Sequence, residues 1–273
     1  MGTQDEIKHN IKAHNRIARK YEKIHDEIFN DVEQARLNSI INQAAQAITS
    51  GSNPLLAMDI GCGSGNLTRH LINLGVITVS ADVSENFLEI IEQTFSHTGL
   101  SRTLQINGAD LSNINDNSFD LAAAYSVLHH VKDYLKLLRE MCRILKRGGV
   151  LYIDHEVNDT IYNPPVEYVD FLKSAISKKV ILQKYLRMLV SPEFYVNFVR
   201  KRINPRYMGE GDIHVWPDDH IEWDKIEKLL IAENFDIILK KDYLLYRGSY
   251  LKTAYEKYKN KCTDTRMLFA RKK

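Results

Sequence analysis

A glycine-rich turn between a strand-like and a helix-like stretch constrains the fold of this chain more than any other feature. Residues 58–67 read MDIGCGSGNL, with apolar residues before the glycines and helix-forming residues after them. Glycine adopts positive φ without strain and lets backbone N–H groups approach a bound molecule closely. The segment therefore predicts a strand–turn–helix unit, which serves either as a tight turn alone or as a ligand-binding loop.

Strand-like and helix-like stretches alternate after this turn. Five apolar stretches are predicted strands, namely 55–60, 76–81, 103–107, 121–125 and 150–154. The helices between them are predicted to begin near Leu67, Glu85 and Tyr134. An amphipathic helix at 221–233 precedes two further predicted strands, at 235–246 and 267–270. This order is typical of an α/β fold with a doubly wound, mostly parallel sheet.

The remaining segments divide the chain into three parts. Residues 1–53 are predicted as an N-terminal helical cover, because apolar residues recur at helical spacing over 5–49. Residues 157–220 interrupt the alternation on the side of the sheet where such folds bind ligands, and they are predicted as a helical lid insertion. The ligand-binding domain then consists of 54–156 and 221–273.

Acidic residues follow successive predicted strands. Asp59 precedes the glycines, Asp82 ends the second strand, and Asp110 follows the third. A carboxylate at Asp82 can accept hydrogen bonds from both hydroxyls of a ribose, and Asp110 can accept one from the amine of an adenine. The glycine spacing is Gly-x-Gly-x-Gly, whereas loops that bind a dinucleotide pyrophosphate read Gly-x-Gly-x-x-Gly. The pattern favours an adenosine-containing ligand other than a dinucleotide.

With these residues, the sequence resembles the class I S-adenosylmethionine-dependent methyltransferases over about residues 55–156. The resemblance rests on six segments in order: 59–65 (DIGCGSG), 81–84 (ADVS), 108–110 (GAD), 117–121 (NSFDL), 127–131 (VLHHV) and 143–149 (RILKRGG). It implies a Rossmann-like, seven-stranded sheet that ends with the strands at 235–246 and 267–270. It also implies S-adenosyl-L-methionine as methyl donor and S-adenosyl-L-homocysteine as product.

The resemblance further implies which residues bind the cofactor. This set consists of Tyr21, Asp59, Gly61, Gly63, Gly65, Asp82, Val83, Asp110 and Leu111. Within it, the glycines line the methionine part, Asp82 holds the ribose, and Asp110 with its neighbour meets the adenine. Tyr21 corresponds less specifically to a tyrosine that covers the methionine carboxylate in many family members. A packed core aromatic would give the same pattern.

Catalysis is predicted to use histidine. The donor methyl is already activated, so the protein must align the acceptor, and a hydroxyl acceptor must also lose its proton. His129 and His130 follow the fourth strand, and a histidine at the His129 position serves as base in small-molecule methyltransferases of this kind. We predict His129 first and His130 second as the base, with Asp154 orienting or assisting. A histidine that only caps or packs near a helix start is the alternative.

The net charge of +2 hides an uneven distribution. Residues 171–206 contain nine Lys and Arg and one Glu, which gives +8, so the remainder of the chain carries −6. An apolar stripe accompanies these cations at helical spacing. Three interpretations stay open: a lid helix packed on its own domain, recognition of an anionic acceptor, and peripheral contact of 168–206 with an anionic membrane. Nucleic acid is disfavoured, because no RNA-reading motif accompanies the charge.

Other features limit the site and the location of the protein. The three cysteines lack zinc spacing, and no metal site is predicted. Residues 211–220, rich in Asp and His, are interpreted as a solvated loop, with acceptor contacts or a bound cation as the alternatives. The polar start is unlike a signal peptide, and no run of about 18 apolar residues occurs. We therefore expect a cytoplasmic protein, peripheral to the membrane at most. The sequence contains no signal that sets an oligomeric state.

The sequence predicts a methyltransferase that acts on a hydroxyl of a small-molecule, glycan or lipid-linked acceptor, anionic in character. Residues 163–165 (NPP) resemble a motif of enzymes that methylate base amines, but they follow the fifth strand rather than the fourth. Two alternatives stay open, an NAD-dependent oxidoreductase and a non-catalytic S-adenosylmethionine-binding partner protein. The glycine spacing disfavours the first, and the two histidines disfavour the second.

Overall fold

The computed structural model of the protein describes residues 11, 12, 14, 15, 18–176, 192–206 and 211–273. Within these residues the strands are β1 (Leu56–Ile60), β2 (Ile77–Asp82), β3 (Ser101–Gln105), β4 (Phe119–Tyr125), β5 (Leu145–Val157), β6 (Val215–Trp216), β7 (Asp219–His220), β8 (Phe235–Tyr243) and β9 (Thr265–Lys272). The α-helices are α1 (Tyr21–Ile24), α2 (Asp31–Gln46), α3 (Asn66–Asn73), α4 (Glu85–Phe95), α5 (Tyr134–Ile144), α6 (Val166–Ala175), α7 (Pro192–Ile203), α8 (Trp223–Ala232) and α9 (Lys252–Tyr258).

The described strands form one seven-stranded sheet in the order β3-β2-β1-β4-β5-β9-β8, and β6 and β7 form a separate hairpin. Strands β1 to β5 pair in parallel, whereas β9 is antiparallel to both of its neighbours. The predicted doubly wound, mostly parallel, seven-stranded sheet is therefore confirmed. The strand order reverses between β1 and β4, and their carboxyl ends form the crevice where this class of sheet binds ligands.

Helices cover both faces of the sheet. Leu138 and Met141 of α5 and Ile226 of α8 are fully buried in one apolar cluster. On the other face, Leu37 and Ile41 of α2 are fully buried in a second cluster against the sheet. Because parallel strands are apolar on both sides, two such layers are needed to exclude water from them.

The continuous helix predicted over 5–49 is wrong for the part of it that the structure describes. After α1, residues 25–30 form turns, and α2 begins anew at Asp31. Asn30 explains the break, because its side-chain oxygen accepts a hydrogen bond from the Glu33 N–H (3.0 Å) and caps α2. Its amide nitrogen also donates to the carbonyl of Tyr246 (3.2 Å), which ties this turn to the segment after β8.

The two described ends of the predicted lid pack on the rest of the molecule. Helix α6 buries Tyr168 and Phe171 against Tyr250 and Tyr255, near α9. The β6–β7 hairpin lies beside the loop after β4, since the N–H groups of 213 and 214 donate to the His129 carbonyl. The part of the basic apolar stripe at 177–191 lies outside the described residues. Across the part of the chain that is described, no helix has both the length and the apolar character needed to cross a bilayer.

Candidate active site

The glycine turn between β1 and α3 is built by three residues with positive φ, Gly61 (+67°), Gly63 (+50°) and Gly65 (+92°). A Cβ on Gly61 would lie 2.6 Å from Cγ2 of Val127, so close packing with the loop after β4 requires glycine there. Among the described residues, a Cβ on Gly63 would meet only the ring of Tyr21, at 4.0 Å. The first glycine therefore holds two loops together, and Gly63 leaves its backbone accessible to a ligand.

A cavity of about 1120 Å³ lies against this turn. Eight of the nine predicted cofactor-binding residues line it, namely Tyr21, Asp59, Gly61, Gly63, Asp82, Val83, Asp110 and Leu111. Gly65 does not belong to this lining, and its contact with the methionine part stays a prediction. It is the N-cap of α3, and a Cβ there would lie 2.6 Å from Cδ1 of Ile91 in α4. The third glycine thus serves helix packing.

Asp82 is nearly buried at the end of β2 and holds the glycine turn in place. One carboxylate oxygen accepts from the Gly63 N–H (3.0 Å), and the other accepts from the Ser84 N–H (2.9 Å). Burial raises the pKa of Asp82 above its usual range, and these backbone donors oppose that effect. A carboxylate offers about four acceptor positions, so Asp82 can still accept from ribose hydroxyls.

Asp110 and Leu111 follow β3, line the same cavity and differ in exposure. Leu111 is fully buried, so it can provide an apolar surface for a base. Asp110 lies at the surface, where Asn107 and Ser112 donate to its carboxylate at 3.1 and 2.9 Å. These hydrogen bonds lower the pKa of Asp110 to about 2, so it is ionised at neutral pH and accepts hydrogen bonds only.

Asp59 lies beneath the glycine turn. Its side chain is 1% exposed and accepts a hydrogen bond from Oγ1 of Thr68 (2.7 Å). Burial raises the pKa of Asp59 to about 7, although Thr68 opposes the shift; the nearby Asp82 adds to it. This carboxyl is therefore partly protonated at neutral pH.

A second cavity, of about 910 Å³, adjoins the first. Four residues line both cavities, namely His14, Tyr21, Ser126 and His130. The second cavity is otherwise lined largely by polar side chains from the ends of β4 and β5, the 25–30 turns and the segments around β6 and β8. A ligand in the first cavity can therefore face a second molecule across this junction.

His129 lines the second cavity and is fixed by a carboxylate that we did not predict. Its Nδ1 lies 2.8 Å from Oε2 of Glu156, whose other oxygen accepts from the N–H groups of Val127 and Leu128. Glu156 is 1% exposed. A buried carboxylate on Nδ1 sets the tautomer of an imidazole and leaves Nε2 to take a proton.

His130 lies at the junction of the cavities. Its ring centroid is 4.1 Å from that of His129 and 5.1 Å from that of His14. Burial, with these two neighbouring imidazoles, holds the pKa of His130 well below its usual range. His130 is therefore neutral at pH 7 and is a weaker base than an ordinary histidine.

Among the described residues, His129, His130 and Asp212 could hold a metal ion. The ligand atoms that they offer lie within 4.8 Å of one another, and Nδ1 of His130 is 3.3 Å from the Asp212 carboxylate. The solvated loop predicted for 211–220 is wrong at His214, which is buried between Asp219 (2.6 Å) and the carbonyls of Val131 and Lys132. These contacts hold Asp212 at the wall of the second cavity.

Asp154 does not orient either histidine, which corrects our prediction. It is fully buried in a polar network on the α2 side of the sheet, where Arg36 donates to it at 2.8 Å and Tyr243 at 3.0 Å. Tyr152 also donates to it. Asp154 is outside the lining of both cavities. Glu156, rather than Asp154, is the carboxylate that orients a histidine.

Comparison with known proteins identifies this arrangement. A family model described as "Methyltransferase domain" matches residues 58–153, which contain the glycine turn, Asp82, Asp110 and both histidines. Residues 58–153 therefore match a methyltransferase domain, and the chain is similar to class I S-adenosylmethionine-dependent methyltransferases over this segment.

Two curated relatives and one solved structure illustrate what the chain is similar to. A demethylmenaquinone methyltransferase of Staphylococcus epidermidis is 32% identical over 48% of this chain and 59% of its own length. A ubiquinone biosynthesis O-methyltransferase of Methylococcus capsulatus is 31% identical over 42% of this chain and 49% of its own. The structure of magnesium protoporphyrin IX methyltransferase from Synechocystis, with bound S-adenosylhomocysteine, has a TM-score of 0.51 at 16% identity. It covers 89% of this chain and 88% of that one. The aligned segments therefore span about half of the curated relatives, and the last likeness shows the fold alone.

The sequence analysis did not predict several residues that line the second cavity. His155 and Glu156 follow Asp154 in the sequence. The directions in which their side chains point depend on an irregularity of β5, and no sequence pattern predicts that irregularity. Ser126 and His14 also line the cavity, and neither belongs to a recognisable motif. One sequence signal could have indicated Glu156: it is a second acidic residue, two positions after Asp154, at the end of the fifth predicted strand.

Proposed function

We propose that this protein transfers a methyl group from S-adenosylmethionine to a hydroxyl of a small-molecule, glycan or lipid-linked acceptor. The observation that carries the proposal is the junction of the two cavities, where predicted cofactor-binding residues meet the His129–Glu156 pair. The first cavity fits the cofactor, because glycine at 63 keeps side-chain atoms away from the turn and the carboxyl groups of Asp82 and Asp110 both line the cavity.

The residues of the chain would act as follows. Bound S-adenosylmethionine supplies an activated methyl group. Asp82 and Gly63 hold the nucleoside side of the cavity, and Tyr21 covers the junction from α1. His129 accepts the proton of the acceptor hydroxyl at Nε2, while Glu156 holds the ring and stabilises the imidazolium that forms. His130, neutral and partly buried, helps to exclude water from the junction.

An anionic or membrane-bound part of the acceptor would lie outside the second cavity, on α7. This helix exposes Phe198, Val199 and Ile203 together with the cations of Lys201 and Arg202. Exposed apolar and basic side chains on one helix support peripheral contact with anionic lipid. Sedimentation with vesicles of phosphatidylglycerol and of phosphatidylcholine would test this. Binding only to the former, weakened by Phe198→Ser with Ile203→Ser, is the expected result.

The methyl-transfer proposal is tested by cofactor binding and by labelling. Thermal-shift titration should show stabilisation by S-adenosylhomocysteine and none by NAD, because a ligand that binds only the folded state raises its stability. Incubation with methyl-labelled donor and fractionated cell extract should then place label in a small-molecule, glycan or lipid fraction. Stabilisation by NAD alone would end the proposal, and binding without label transfer would favour a non-catalytic partner protein.

A further inference from the structure

Two residues at the second cavity have a positive φ, a backbone conformation that residues other than glycine rarely adopt. Ser126 directly follows β4 with φ +60°, and His155 lies within β5 with φ +61°. The pairing of β5 with β9 shifts register between Ile153 and Glu156, so His155 lies in a bulge. Bulges often re-aim side chains beside functional sites, and left-handed non-glycine residues persist only where their surroundings hold them.

The side chains of these two residues contact each other at the cavity wall. Nδ1 of His155 lies 3.1 Å from Oγ of Ser126, and its ring stacks on Tyr125 with centroids 4.9 Å apart. Nε2 of His155 is buried and has no hydrogen-bond partner among the described residues. Buried polar atoms are nearly always paired, so this nitrogen marks a place where a bound molecule completes a hydrogen bond.

The protonation of His155 fixes the kind of group that it can bind. Burial lowers the pKa of His155 to about 3, although Asp154 opposes that shift, so the ring is neutral at pH 7. A neutral imidazole has one donor and one acceptor nitrogen. If Ser126 donates to Nδ1, Nε2 donates to the ligand, and in the other tautomer Nε2 accepts. A hydroxyl satisfies both cases, because it donates and accepts.

The charges around the second cavity disfavour an anion inside it. Four carboxylates line it, those of Glu27, Glu156, Asp212 and Asp264, against the guanidinium of Arg247. Although burial opposes the shift, the hydrogen bond from His25 lowers the pKa of Glu27 to about 2, so Glu27 is ionised. Like charges at close range raise the free energy of a bound anion.

We propose that Ser126 and His155 form the acceptor-binding contact for an uncharged hydroxyl group, and that the second cavity admits the uncharged, hydroxyl-bearing part of the acceptor. This inference rests on the proposed function and restricts its substrate class. A phenol or a sugar alcohol fits the contact, whereas a carboxylate or phosphate of the same molecule stays outside, near α7.

Titration with small probes tests the proposal directly. Catechol (uncharged) and benzoate (anionic) are added to the full-length protein with and without S-adenosylhomocysteine, and binding is followed by the side-chain ¹⁵N signals of histidine. We expect catechol to shift the His155 signals and to bind about tenfold more tightly than benzoate, which corresponds to one favourable hydrogen bond. Equal binding of the two probes would overturn the exclusion of anions.

Variants separate the contact from a structural role. His155→Phe keeps a ring to stack on Tyr125 and removes Nε2, and it should weaken catechol binding about tenfold. Ser126→Gly removes the hydroxyl but suits positive φ, so it tests the same contact where the first variant fails to fold. His97→Phe, at an exposed histidine, is the matched control. Unchanged catechol affinity in both test variants would refute the contact. Catechol binding without S-adenosylhomocysteine binding would keep the contact and refute the proposed cofactor.

Discussion

Nδ1 of His129 lies 2.8 Å from a carboxylate oxygen of Glu156, and that carboxylate is almost completely buried. The second oxygen of Glu156 accepts from two backbone N–H groups of the loop after β4. Glu156 therefore connects the loop that carries His129 to β5 and fixes the ring at once. This pairing distinguishes His129 from His130, whose Nδ1 lies 3.3 Å from the less buried carboxylate of Asp212.

Glu156→Gln should lower kcat about 10²-fold, because the ring of His129 loses the carboxylate that sets its tautomer and stabilises its cation. His129→Ala should cost at least as much, whereas the affinity for S-adenosylhomocysteine should stay unchanged in both. Steady-state kinetics with a calorimetric titration separate these effects. His130→Ala is the matched comparison. If it lowers kcat more than His129→Ala does, then His130 is the base.

Asp154→Asn should destabilise the protein rather than slow its chemistry. The substitution removes one of the two carboxylates that face Arg36 in a buried network, while Glu33 still pairs with it, and the loss of such a charge-assisted hydrogen bond costs about 1–3 kcal/mol. Urea unfolding should show this loss, while kcat of the folded protein at low temperature stays within about threefold of the wild type. A drop in kcat as large as that of Glu156→Gln would restore the catalytic role that the sequence suggested.

The contrast between Asp154 and Glu156 shows where sequence reasoning ends. The strands, their order along the chain and the predicted nucleoside-side residues follow from apolar patterns and from strand-end acids, since these depend on local sequence. The direction in which a side chain points after a strand does not follow from these local patterns. In β5 the shift of register and the left-handed His155 re-aim the residues that follow, so Glu156 reaches His129 whereas Asp154 faces α2.

The three glycines of the turn also have different structural roles. The sequence analysis assigned all three to one ligand, but the role of each depends on its tertiary contacts. Gly65 allows α4 to approach, Gly61 allows the loop after β4 to approach, and Gly63 faces the cavity. The break at Asn30 was equally hidden, because the apolar spacing continues through it and only the cap ends the helix.

Asp82→Ala should weaken the binding of S-adenosylhomocysteine by about 1–3 kcal/mol. It removes the predicted acceptor for ribose hydroxyls and also frees the N–H of Gly63, which Asp82 now holds at 3.0 Å. Isothermal titration calorimetry measures the loss. Asp116→Ala, at an exposed acid away from the cavity lining, is the control and should bind normally. Wild-type affinity in Asp82→Ala would remove this residue from the cofactor site.

Asp59 should make stability fall as pH rises. Its pKa is about 7 in the folded protein against an ordinary value of 3.8, so the folded state binds the proton more tightly than the unfolded state. Its contribution is therefore fully present below the unfolded pKa and is lost as pH rises from about 4 through about 7. In Asp59→Asn, the free energy of unfolding should depend less on pH over this window. The variant should therefore become more stable relative to the wild type at about pH 8. Parallel curves for the two proteins would show that Asp59 is ionised throughout.

Chelation tests whether His129 acts as a base or as a metal ligand. The ligand atoms of His129, His130 and Asp212 lie close enough to hold a divalent cation, yet the imidazole lone pair that takes a proton cannot coordinate a metal at the same time. Because we assign His129 to proton transfer, we expect methyl transfer to stay within about twofold after treatment with EDTA, with Glu156→Gln still defective. Metal analysis of the purified protein accompanies the assay. Activity that vanishes on chelation and returns with zinc or magnesium would instead make His129 a ligand, and Glu156 the carboxylate that orients it.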